Sequence, residues 1–79
     1  MSRLINGNEM NLIGKNVRKL RKANNWSQQE LSVKLELLGV YVCRGSISRI
    51  EDMSRTVTDI ELFALAKVFK VSVDELFNK

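Results

Sequence analysis

The sequence predicts a small all-α domain of five helices, and three observations support this fold class. Proline is absent from the 79 residues, so no helix interior is interrupted by a residue without a backbone N–H. Apolar residues recur three and four positions apart in several segments, which is the spacing of one helix face. Three segments also begin with serine or threonine followed three residues later by glutamate, the pattern of a capping box.

The first predicted helix covers residues 11–24. Its apolar face contains Ile13, Val17 and Leu20, at positions i, i+4 and i+7. The opposite side is basic and consists of Lys15, Arg18, Lys19 and Lys22. Arg21 falls about 80° from the apolar face at about 100° per residue, and this edge position favours a structural partner over a phosphate contact.

The second predicted helix, residues 27–37, starts at the capping box of Ser27 and Glu30. Gly39 is expected to stop it. Residues 40–42, Val-Tyr-Val, favour extended backbone and are more apolar than a free loop. We expect them either to fold back over the core or to form a contact surface.

The third predicted helix covers residues 44–52. Ile47 and Ile50 lie on one face and would pack against the second helix. The outward side chains are then those of Arg44, Gly45, Ser48 and Arg49. A free face of arginines and small hydroxyl residues suits the major groove of DNA, where arginine binds guanine through two hydrogen bonds.

Two further capping boxes predict the last two helices, at residues 59–69 and 73–77. Thr58 and Glu61 form the first of them, and Ser72 and Glu75 form the second. The fourth helix carries one apolar face, made of Leu62, Leu65, Ala66 and Phe69. Residues 1–10 show no clear period and are expected to form a flexible arm that precedes a single domain at residues 11–79.

Composition and charge limit the functions that the chain can have. Cys43 is the single cysteine and histidine is absent, so a disulfide within the chain is ruled out and no metal or other cofactor is expected. Without histidine, and without a base paired with a nucleophile, neither an enzyme nor a small-molecule substrate is expected. No signal peptide or long apolar run is present, which predicts a cytoplasmic protein without membrane contact.

The net charge of +4 is concentrated near the N-terminus. Residues 1–26 carry six Lys and Arg against one Glu, whereas the rest of the chain carries seven against eight acidic residues. Such a basic third could attract either a phosphate backbone or an anionic membrane surface.

A family resemblance distinguishes these partners. The segments at residues 13–22, 27–32, 46–51, 59–67 and 71–76, which include SQQELS and SISRIE, occur in the order found in lambda-repressor-like (XRE-type) domains. Over residues 12–77 the chain resembles these helix-turn-helix DNA-binding domains. The resemblance implies a five-helix fold and a partner in double-stranded DNA.

The resemblance and the outward faces together predict site residues. The base contacts are expected from the outward residues of the third helix, Arg44, Gly45, Ser48 and Arg49. The backbone contacts are expected from Gln28, Lys15, Arg18, Lys19, Lys22 and Arg55, with Arg3 of the arm as an additional candidate. The family pattern also implies an ion pair between Arg21 and Glu51.

One segment departs from the family pattern. Residues 36–42 contain about five more residues than a typical member has between the two helices of the motif. Cys43 follows them at a position where the family often has Ser or Thr as N-cap. Because a thiol is a weak acceptor, Cys43 is expected to pack in the core, with redox sensing as the alternative.

The predicted function is sequence-specific binding of duplex DNA as a transcriptional regulator, most plausibly a repressor. The alternative is a protein-interaction module, such as an antitoxin or adaptor, which the apolar residues around Tyr41 favour. A regulator of this size is expected to pair on an inverted-repeat operator as a homodimer. The expected dimer surface is the last helix at Val73, Leu76 and Phe77, rather than the segment around Val40 and Tyr41.

Overall fold

The computed structural model describes residues 7–78, which form five α-helices and no β-strand, and this confirms the predicted fold class. The helices are α1 (Gly14–Ala23), α2 (Gln28–Glu36), α3 (Arg44–Glu51), α4 (Asp59–Phe69) and α5 (Val73–Leu76). None of the helices between residues 7 and 78 is long and apolar enough to span a bilayer. Residues 1–6 of the predicted arm, including Arg3, lie outside the described residues.

All three predicted capping boxes are confirmed. At the start of α2, Ser27 Oγ accepts from the backbone N–H of Glu30 at 3.0 Å, and Glu30 Oε1 accepts from the N–H of Ser27 at 2.9 Å. The hydrogen bond from the Ser27 backbone N–H, and after it the interaction with the Ser27 hydroxyl, lower the pKa of the Glu30 carboxyl. The equivalent bonds join Thr58 with Glu61 and Ser72 with Glu75.

Helix α1 begins three residues later than predicted because Asn11 caps it from outside. Asn11 Oδ1 accepts from the backbone N–H groups of Ile13 and Gly14, at 3.1 and 2.8 Å. Its amide nitrogen donates to the carbonyls of Ile50 and Arg55, at 3.1 and 2.9 Å. Residues 11–13 therefore form a capping turn that ties the start of α1 to the end of α3.

Four helices end in a left-handed residue with paired closing hydrogen bonds, the geometry of a Schellman motif. After α2, Gly39 has φ +85° and its N–H donates to the Glu36 carbonyl, while Val40 donates to Leu35. The left-handed residues after the other three helices are Asn25, Met53 and Lys70. Gly39 therefore stops α2 as predicted, whereas Met53 and Lys70 occupy a conformation that their side chains disfavour.

The hydrophobic core lies where α3 packs on α1 and α2, and α4 packs on α1, α2 and α5. Its buried side chains include Val17, Leu31, Leu35, Ile47, Ile50, Leu65 and Leu76. Trp26 packs against the core and stacks on Phe69, with ring centroids 5.7 Å apart. The Lys34 amine lies 4.5 Å from the centroid of the Trp26 ring.

The connection between α2 and α3 divides its side chains between the core and the solvent. Val42 is 3% exposed and Val40 packs against the core, whereas Tyr41 is 79% exposed. The expected core packing of Cys43 is wrong, because this residue is the N-cap of α3 and its thiol is exposed. Val42, one residue earlier, occupies the core position instead.

Candidate nucleic-acid interface

Helix α3 has one buried and one free face. Ile47 and Ile50 are each 1% exposed and face α1 and α2. Arg44, Gly45 and Arg49 are exposed, and Ser48 is half-buried. The four predicted base-contacting residues therefore lie on one helix, with both arginines turned away from the core.

The N-terminal end of α3 is open to solvent. Its N-cap residue, Cys43, is exposed and forms no side-chain capping hydrogen bond. A Cβ added to Gly45 would meet only the Arg49 guanidinium, at 3.8 Å, so no packing requires glycine there. The Cys43 thiol lies 3.5 Å from Ser46 Oγ, and this hydrogen bond lowers the pKa of the thiol.

An ion pair holds the opposite end of α3 against α1. Arg21 Nε donates to Glu51 Oε2 at 2.6 Å and Arg21 Nη2 donates to Glu51 Oε1 at 3.0 Å. The side chains are only 10% and 3% exposed, and the bond to Glu51 raises the pKa of Arg21. The structure thus brings together the two residues predicted to pair.

Gln28 and Trp26 complete this cluster. Arg21 Nη1 donates to the carbonyl of Trp26 at 2.8 Å, and Gln28 Nε2 donates to Glu51 Oε1 at 3.2 Å. Gln28, at the first position of α2, was predicted only as a backbone contact. Its amide nitrogen is engaged with Glu51 in this structure, which also makes it part of the junction between α2 and α3.

Gly14 positions α3 in a way that sequence reasoning missed. A Cβ at this residue would lie 2.2 Å from the Ile50 carbonyl oxygen and 2.7 Å from Met53 Cγ. Only a glycine lets α1 approach the end of α3 this closely. The signal in the sequence was a glycine within the predicted first helix, where it costs about 1 kcal/mol relative to alanine unless packing requires it.

The four basic residues of α1 share one side of the helix but differ in their neighbours. All four are exposed, and Lys15, Arg18 and Lys22 each follow by one position a buried residue of the face that packs toward α3, Gly14, Val17 or Arg21. Lys19 also lines a groove with Asn16, Glu75 and Asn78, where α1 meets the C-terminal end of the domain. At about 100° per residue Lys19 lies about 40° from Lys15 around the helix, so it forms the edge of the same basic side.

Arg55 is engaged by a carboxylate of α4. Its two terminal nitrogens donate to Glu61 Oε1 and Oε2, each at 2.9 Å. The guanidinium lowers the pKa of Glu61, and Glu61 raises that of Arg55. Arg55 thus stabilises the start of α4, whereas the sequence predicted it only as a phosphate contact.

The predicted dimer surface needs one correction. Leu76 is 0% exposed and belongs to the core, so it cannot contact a second molecule. The sequence pattern of a four-residue helix is too short to indicate which side is buried. Val73, Leu76 and Phe77 were therefore all assigned to one surface. Val73 is half-buried against the core, whereas Phe77 is 43% exposed.

Comparison with known proteins defines the class of this fold and site. A family model described as "Helix-turn-helix" matches residues 17–76. The restriction-modification controller protein C.AhdI from Aeromonas hydrophila has a similar structure, with a TM-score of 0.71 and 28% sequence identity over 82% of this chain and 91% of that one. The P22 c2 repressor, solved in complex with a synthetic operator, is also similar, with a TM-score of 0.71 and 28% sequence identity over 86% of this chain and 96% of that one. The search of curated proteins gave no match.

The chain belongs to the helix-turn-helix family, of the lambda-repressor-like type. Helices α2 and α3 form the motif that gives the family its name. The protein is accordingly a DNA-binding transcriptional regulator.

Proposed function

We propose that this protein represses transcription by binding an inverted-repeat operator in duplex DNA as a homodimer, in the cytoplasm. The observation that carries the proposal is the free face of α3, where Arg44, Gly45 and Arg49 are exposed on a helix that the Arg21–Glu51 pair holds in place. Arg44 and Arg49 would read base edges, and Ser48 would support them. The P22 c2 repressor, seen with its operator, supports this role.

Phosphate contacts would hold the domain in register on the duplex. Lys15, Arg18 and Lys22 are exposed beside the face of α1 that packs on α3, and Gln28 opens α2. Lys19 and Arg55 are weaker candidates, since the first lies near the C-terminal end and the second is paired with Glu61. Neutralising about four to six phosphates predicts a log–log salt slope of about −4 to −5.

The homodimer would form around Phe77. This side chain borders a groove of about 310 Å³, lined also by Met10, Leu12, Val57 and Leu62, and none of the lining residues within 7–78 is charged. An interface on a two-fold axis brings the same patch of both chains together, so an uncharged patch avoids repulsion between two chains of charge +4. Phe77→Asp should weaken both dimerisation and operator affinity and leave the helical content intact.

Selection of bound duplexes from a random DNA pool tests the proposal. The expected product is an inverted repeat with half-site centres about 10 base pairs apart, or a multiple of a helical turn. Sedimentation with that duplex should show two proteins per site. Recovery of no preferred sequence, with binding that does not weaken as salt rises, would contradict DNA recognition.

A second candidate function is docking of a protein partner by the same fold. The observation that favours it is the group of exposed apolar residues near the α2–α3 connection, Leu37 at 81%, Leu38 at 52% and Tyr41 at 79%. No enzymatic role is proposed, because the similar structures are a controller and a repressor.

A further inference from the structure

We infer that Tyr41 is a DNA-backbone contact that rests on the sugar–phosphate wall of the major groove beside the N-terminus of α3. This inference depends on the proposed function, because it requires α3 to lie in the groove. It assigns a role in binding to the segment that departs from the family pattern.

The segment that carries Tyr41 is held in place on both sides. Val40 donates from its backbone N–H to the Leu35 carbonyl at 3.0 Å, and Ser32 Oγ donates to the Val42 carbonyl at 2.7 Å. Exposure alternates along residues 40–43, with Val42 buried and Tyr41 exposed. Since Val42 is packed in the core and Tyr41 is 79% exposed, the Tyr41 side chain points away from the core.

The short distance from Tyr41 to α3 brings its ring near any DNA that α3 enters. Arg44 lies three positions after Tyr41. Extended chain covers at most about 3.6 Å per residue, so the two Cα atoms lie within about 11 Å. The major groove is about 12 Å wide. A helix whose first turn reads bases in this groove therefore leaves Tyr41 beside one of its walls.

The chemistry of this surface suits a phosphate. Between Glu36 and Glu51 the chain contains two arginines and no acidic residue, so this segment itself carries a net positive charge. A phenol can donate one hydrogen bond to a phosphate oxygen while its ring covers a sugar. It has no paired donors with which to choose one base, so Tyr41 should add affinity without changing sequence preference.

Substitutions at Tyr41 test the contact. Tyr41→Phe removes only the hydroxyl and should weaken binding to the selected operator and to unrelated duplexes alike, by about threefold to tenfold. The salt slope should stay unchanged because no charge is lost. Leu37→Ala is the matched control, since Leu37 is equally exposed but lies before Gly39 and farther along the chain from α3; it should leave DNA affinity as it was.

Two results of this comparison would overturn the inference. The first is unchanged DNA affinity in both Tyr41→Phe and Tyr41→Ala. The second is an equal loss of DNA affinity in Leu37→Ala and Tyr41→Ala, which would show that the loss does not come from a contact particular to Tyr41.

Chemical protection separates the inference from the proposed function. Tyr41 is the only tyrosine and Cys43 the only cysteine, so each can be followed alone. Operator duplex should slow iodoacetamide alkylation of Cys43, which reports on the first turn of α3, and in a Cys43→Ser chain it should slow nitration of Tyr41 by several-fold. Protection of Cys43 with Tyr41 still reactive would overturn the inference and leave the proposed function standing. Protection of neither would overturn both.

Discussion

The two faces of α3 differ in what they contact, although they share only eight residues. Ile47, Ile50 and Glu51 are buried, and Glu51 accepts from Arg21 and Gln28. On the other side, Arg44 and Arg49 are exposed. One face therefore fixes the position of the helix, and the other is left for recognition. Stability and DNA binding should accordingly respond to different substitutions.

Loss of the Glu51 carboxylate should be the most damaging change to the buried face. Glu51→Ala leaves the Arg21 guanidinium buried without its counter-charge, which should lower the free energy of unfolding by about 3–5 kcal/mol. Urea denaturation measures the loss. In a double-mutant cycle with Arg21→Met, a coupling energy below about 0.5 kcal/mol would mean that the pair does not brace α3.

Truncation of an apolar side chain on the same face should come next. Ile47→Ala removes buried methyl groups and leaves a cavity, at a cost of about 2–5 kcal/mol in unfolding free energy. Arg49→Ala, two residues away on the free face, should change this free energy by less than about 0.5 kcal/mol. Similar thermal destabilisation by both substitutions would show that the two faces are not independent.

Two glycine-to-alanine substitutions compare the faces with the same chemical change. At Gly14 the new methyl group would overlap the Ile50 carbonyl, so α1 and α3 must separate, at a cost of about 1–3 kcal/mol. At Gly45 the methyl group would make only an ordinary contact with the Arg49 guanidinium at 3.8 Å, and alanine should stabilise the helix by about 0.5–1 kcal/mol. Denaturation midpoints that shift in the same direction would contradict the close packing assigned to Gly14.

The smallest expected effect concerns the more exposed ion pair, Arg55–Glu61. Since Arg55 lowers the pKa of Glu61 in the folded protein, the unfolded chain binds a proton more readily, and stability falls as the solution is acidified. The advantage of the native chain over Glu61→Gln should be about 1 kcal/mol or less at pH 7, and it should decrease as the pH falls below about 4.3, the value for the unfolded chain, and through the lower folded pKa of Glu61. A difference that stays constant from pH 7 to pH 3 would rule out this pair as its origin.

Much of the fold could be predicted from local chemistry. The capping boxes at Ser27, Thr58 and Ser72 each fix a helix start from residues only three positions apart, and all three occur in the structure. The start of α1 was placed too early because Asn11 caps it by a different geometry and also binds Ile50 and Arg55, which are distant in sequence.

The site was less predictable wherever a contact crosses between elements. Helical spacing predicted that Arg44 and Arg49 face outward, and both are exposed in the structure. Helical spacing did not indicate that Arg55 would pair with Glu61 or that Gln28 would donate to Glu51. Nor did it indicate that Leu76 would be fully buried. These outcomes depend on how the elements meet, which a periodic pattern within one element does not specify.

Repeated selection from a random duplex pool, with the native chain and Arg49→Ala side by side, tests most directly whether the free face of α3 reads DNA. Arg49→Ala should keep its unfolding free energy, lose about 1–3 kcal/mol on the native operator and relax the preference at one base position in each half-site. Selection of an unchanged operator by Arg49→Ala, with the same preference at every position, would show that this face does not read the sequence.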